Sequence, residues 1–78
     1  MNNSAPNLQK FIKEKRSEAH LTQQELAIKA GVGLRFIRDM EQGKPTLRMD
    51  KVNQVLLLFG HELAPVLFNR QKYIDEAS

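Results

Sequence analysis

The sequence predicts an all-α bundle of short helices that ends in one short C-terminal β-strand, and three observations predict it. Apolar residues recur at intervals of three and four along most of the chain, which is the helical period. Glycines stand at 31, 43 and 60, directly after apolar-periodic stretches, where a left-handed residue stops one helix and turns the chain toward the next. Between Gln23 and Gln42, the positions of Ala27, Gly31, Ile37 and Met40 are those that two short helices need in order to cross closely.

The elements follow in order. MNNSAP is polar and broken by Pro6, so residues 1–6 are expected to form an arm, and Asn7 caps a first helix running from about Leu8 to Ala19. Its Leu8, Phe11, Ile12 and Lys15 fall at helical spacing, with Lys10, Lys13, Glu14 and Glu18 on the other side. Thr22 and Glu25 spell a capping box for the second helix, in which Leu26 and Ala30 lie one turn apart and which Gly31 terminates. Gly33 loosens the turn, and a third helix runs from Leu34 to Gln42, ahead of Gly43. After GKPT, with Thr46 as the expected cap, a fourth helix is predicted from Leu47 to Phe59, closed by Gly60, with Met49, Val52, Leu56 and Phe59 facing inward.

Val55, Leu57 and Leu58 make that last helix apolar nearly all round, which calls for a second subunit to cover its outer side. HELAPVLF, residues 61–68, alternates weakly, and Pro65 confines it to an edge strand. A lone strand has no ladder. Pairing with its own copy across a two-fold axis would satisfy it, placing Leu63, Pro65, Val66 and Leu67 with Val55, Leu57 and Leu58 at a homodimer interface. The organisation is therefore an arm at 1–6, a helical domain at 7–60, a dimerisation strand at 61–68 and a tail at 69–78. That tail, with Tyr73 and Ile74 as possible anchors, is either frayed or a docking segment.

Composition narrows the function. Seventy-eight residues with 41% apolar content make one thin core, marginal for a monomer. There is no cysteine, and His20 and His61 are too far apart in sequence to suggest a metal pair, so no metal or other cofactor is expected. His20 reads as a turn residue. No nucleophile and base stand at sensible spacing and no phosphate loop occurs, so an enzyme is not expected, nor is a small-molecule ligand. The longest apolar run, Val55–Phe59, is far short of a membrane span and the N-terminus shows no export signal, so a soluble cytoplasmic protein without membrane association is expected. Residues 1–60 hold ten Lys/Arg against six Asp/Glu, a basic excess compatible with a polyanionic partner.

With Ile37 and Met40 turned inward, the third helix presents Leu34, Arg35, Arg38 and Asp39 outward. Two arginines one turn apart suit guanine edges or phosphates, and Leu34 suits a thymine methyl or a contact to the neighbouring helix. Thr22 and Gln23 open the preceding helix, whose positive end favours a phosphate, and Lys44 and Arg48 flank the start of the fourth helix, placed to hold another. Phe36 reads either as core packing or as a contact to sugar-phosphate. Double-stranded DNA is the expected partner.

The stretch LTQQELAIKAGVGLRFIRDMEQGKPTLRMDKVNQVLLLFG, residues 21–60, resembles the Cro/C1-type (XRE family) helix-turn-helix domain, and residues 33–56 resemble its HipB-type antitoxin branch. The resemblance implies a lambda-repressor-like bundle of four to five helices, a homodimer on a palindromic operator, autoregulation of a toxin operon and a HipA-like kinase toxin as partner. It implies that Gln23 and Lys44 contact the DNA backbone, that Leu34, Arg35, Arg38 and Asp39 face the groove, and that Arg16 pairs with Glu41 as a structural salt bridge. Gly33 replaces the usual serine or threonine cap, and the tail after the strand is short for one that acts on a toxin. The alternatives are a solitary regulator of phage or restriction-modification type and a protein-interaction module that does not bind DNA.

Overall fold

Each helix begins and ends where local chemistry favours it. In the computed structural model, which describes residues 7–68, four helices form: α1 Leu8–Glu18, α2 Gln23–Ala30, α3 Leu34–Glu41 and α4 Met49–Leu58. The arm at 1–6 and the tail at 69–78 lie outside the described residues. Asn7 caps α1, its Oδ1 accepting the Lys10 N–H at 2.8 Å. Thr22 and Glu25 form the expected capping box on α2: Thr22 Oγ1 accepts the Glu25 N–H at 3.1 Å, and Glu25 Oε1 accepts the Thr22 N–H at 2.8 Å.

All four helices close in the same way. A residue two or three positions past each end returns its N–H to a carbonyl five positions back: Leu21 to Arg16, Val32 to Ala27, Lys44 to Asp39 and His61 to Leu56, at 2.9–3.1 Å. This Schellman closure requires a left-handed residue in between. Gly31, Gly43 and Gly60 supply it at φ 74–80°, and His20 does so at φ 57° without being glycine.

Two expectations about α4 are corrected. Thr46 is exposed and caps nothing; the helix starts at Met49 with Arg48 as its N-cap, without a side-chain cap bond. Leu47, half-buried against the core, holds the approach to the helix in place. Met49, expected inside, is 69% exposed, and the inner stripe is Val52, Val55 and Leu56. Val55, expected at a subunit interface, is therefore fully buried in its own core.

That core comprises Ile12, Leu26, Ala27, Ile37, Met40, Val52, Val55 and Leu56, with Leu8, Phe11, Leu21, Val32, Phe36 and Phe59 among the half-buried residues around it. α2 packs on α3 as a helix-turn-helix pair, α1 supports α3, and α4 supports α2. From α4, Gln54 Nε2 donates to the carbonyls of Ala30 and Gly31 at 3.3 Å, closing the C-terminal end of α2.

Residues 61–68 form no strand in the single chain. The segment folds back on its own subunit: the Leu63 N–H donates to Asn53 Oδ1 at 2.7 Å, and His61 meets Phe11 edge-on, ring centroids 4.8 Å apart. Leu63, expected at the dimer interface, packs instead against the core of its own chain. Pro65, Val66 and Leu67 are exposed, as are Leu57 and Leu58.

Candidate nucleic-acid interface

The candidate surface is built on α3, whose eight residues divide between two faces. Ile37, Met40 and Glu41 point into the subunit, and Arg35 and Arg38 are exposed on the other side. Leu34 and Phe36 lie between, half-buried and packed against the core. Phe36 is thus a packing residue, and Leu34 leaves only part of its surface outward.

The inward face is locked by an ion pair. Arg16 grips Glu41 with both ends of its guanidinium, Nε to Oε2 at 2.7 Å and Nη2 to Oε1 at 2.9 Å, while Nη1 donates to the Leu21 carbonyl at 3.0 Å. Hydrogen bonding to Glu41 raises the Arg16 pKa above its ordinary value, despite partial burial. Glu41 is only 2% exposed, and its Oε1 also accepts from Gln23 Nε2 at 3.2 Å. One carboxylate therefore joins α1, the start of α2 and the end of α3. No buried side-chain nitrogen or oxygen among the described residues lacks a partner.

This network corrects the reading of Gln23. Its amide group, expected to hold a phosphate, is turned inward to Glu41. Thr22 is likewise engaged, its hydroxyl in the capping box. What the start of α2 offers outward is its positive helix end, through first-turn N–H groups that the box does not take.

Outside, the cations differ in how free they are. Arg38 is exposed and its side chain makes no hydrogen bond or ion pair among the described residues. Arg35, 89% exposed at its side chain, has its Nε 3.5 Å from Asp39 Oδ1, and Lys44 Nζ lies 3.5 Å from Asp39 Oδ2. Arg48 is committed elsewhere: its Nη2 and Nε donate to Asp50 at 2.7 and 3.2 Å. That bond holds the Asp50 carboxyl below the usual carboxylate range. Arg48, expected to be free for a phosphate, is already neutralised by its own neighbour.

Sequence reasoning missed Gln54, Asn53 and the Arg48–Asp50 pair. The last had a visible signal, an acid two positions after the arginine in the first turn of a helix, whereas the two amides act on backbone outside their own helix, which no local pattern marks. Among the described residues there is no cluster of metal-ligating side chains, and no helix is long and apolar enough to cross a membrane.

An exposed pair of arginines on the outer face of the second helix of a helix-turn-helix pair is an arrangement suited to duplex DNA. No family model matches the chain. Over 45 residues it is 60% identical to a Sinorhizobium fredii protein described as an uncharacterized HTH-type transcriptional regulator, y4mF. The match takes in 58% of this chain and 59% of that protein, so the chain spans about three-fifths of the relative's length, and the likeness is to a helix-turn-helix regulator.

Proposed function

We propose that this chain is a sequence-specific DNA-binding transcriptional regulator of Cro/C1 (XRE) type that represses from a palindromic operator as a homodimer. The observation that carries the reading is the division of α3: its inner side is pinned by Ile37, Met40 and the Arg16–Glu41 pair, while Arg35 and Arg38 stand exposed on the outer side. A rigid helix with two outward guanidinium groups matches what a major groove offers, and the likeness to an HTH-type regulator supports it. Lys44 supplies a backbone contact beside the recognition helix. In a two-fold dimer the two α3 helices would sit about one helical turn, roughly 34 Å, apart.

The test is a binding titration against a duplex enriched from a random library, alongside an unrelated duplex. Arg35→Ala and Arg38→Ala are expected to lose preference for the enriched sequence, by about 1 to 3 kcal/mol for each bidentate contact removed. Lys44→Ala should weaken both duplexes about equally and reduce the salt slope by about one. Both arginine variants binding like the wild type would overturn the assignment.

A finer reading is that the chain is the antitoxin of a HipA-like kinase and represses the operon of that pair. The resemblance of residues 33–56 to the HipB-type branch favours it. Co-expression with a kinase encoded beside it, followed by light scattering of the purified material, should give a complex heavier than the dimer. Recovery of the dimer alone would leave a solitary regulator.

A further inference from the structure

Asp39 stands apart on the outer face of α3, because it is an acid placed among cations and it is not itself free. Its side chain is only 20% exposed, flanked by Arg35 at 89% and Lys44 at 52%. One oxygen faces Arg35 Nε and the other faces Lys44 Nζ, both at 3.5 Å. Arg35 lies one turn earlier on the same helix, and Lys44 lies beyond Gly43, where the Schellman closure returns its N–H to the Asp39 carbonyl at 3.0 Å. Lys44 is therefore tied to residue 39 twice, through the backbone and through the side chain.

Resting on the DNA-binding reading above, we propose that Asp39 is a positioning residue and not a base reader: its carboxylate couples the groove-facing Arg35 to the backbone-facing Lys44. A long arginine that is free in solution loses rotamer freedom when it docks on a base, and a carboxylate that already restrains it reduces that loss. The same negative charge offsets part of the basic field at Lys44 and lowers attraction to duplexes of any sequence. Both effects raise the ratio of preferred to unrelated binding. Neither requires Asp39 to touch a base, and its two oxygens already have partners.

A double-mutant cycle separates the possibilities. The enriched and unrelated duplexes are titrated with the wild type, Arg35→Ala, Asp39→Ala and the double variant, and Asp39→Asn repeats the cycle with a side chain of the same shape and no charge. Asp39→Ala is expected to lower the ratio of preferred to unrelated binding by about threefold to tenfold, with binding to the unrelated duplex no weaker than wild type. In affinity for the enriched duplex the double variant should be no worse than Arg35→Ala alone, because Asp39 supports that contact only through Arg35. Losses of that affinity that add in the double variant, or an unchanged ratio in Asp39→Ala and Asp39→Asn, would overturn the proposal. If the wild type enriches no sequence and binds without salt dependence, the DNA-binding reading falls first, and that result comes from the wild-type arm alone.

Discussion

A carboxylate as deeply buried as that of Glu41 is tolerated only where donors replace the water it has lost. Three N–H groups do so, two from Arg16 and one from Gln23. Arg16→Ala removes two of the three and leaves the charge buried, and the expected loss is about 3 kcal/mol, the lower end for a broken buried pair. The lower end applies because the Arg16 side chain is itself 24% exposed. Arg16→Lys should recover only part of this, since an ammonium has no fork to match the two oxygens. Urea unfolding midpoints check both. At this scale the sequence was legible where periodicity speaks, as it does for Arg35 and Arg38 facing away from Ile37 and Met40. The inward turn of the Gln23 amide was not, because a polar residue at the start of a helix gives no sign of a carboxylate eighteen positions away in sequence.

The two motif helices are secured differently at their starts. α2 has a full capping box, and the hydrogen bond from the Thr22 N–H, with that to its hydroxyl side, holds the Glu25 carboxyl below its ordinary pKa. A group whose pKa falls on folding adds stability above its unfolded pKa, about 4.3 for glutamate, and that stability is lost as pH falls through the folded value. Thermal melting of the wild type should therefore drop more steeply than that of Glu25→Gln as pH is lowered from 5 toward about 3. α3 has no side-chain cap. Gly33 sits there at φ −76° and ψ 153°, with open space where a Cβ would stand, so a serine fits without strain. Gly33→Ser should add a few tenths of a kcal/mol, read as a small rise in melting temperature. Helix ends at 31, 43 and 60 were legible because glycine announces a left-handed turn; the α1 stop after Ala19 was legible too, with His20 as a turn residue, but nothing there marked the turn as left-handed. The start of α4 was misplaced for a related reason: Thr46 has cap chemistry, but Leu47 packing against the core decides where the chain turns.

At the scale of the molecule, eight buried apolar side chains among the described residues make a small core, and Leu57, Leu58, Val66 and Leu67 remain exposed. A homodimer through Leu57 and Leu58 predicts that Leu57→Asp together with Leu58→Asp yields a folded monomer, since neither side chain belongs to the core. Light scattering at micromolar concentration checks the mass, and operator affinity should fall by about a hundredfold or more as the paired half-sites are lost. The strand expected at 61–68 rested on backbone groups alone, and in the single chain that segment forms no strand and is held instead by the Leu63 N–H on Asn53. The buried Arg16–Glu41–Gln23 junction carries one last consequence. Because it fixes the pitch of α3 from behind, the proposed DNA contacts in front are separable from stability: substituting Arg35 or Arg38 is expected to alter operator preference while the melting temperature stays unchanged.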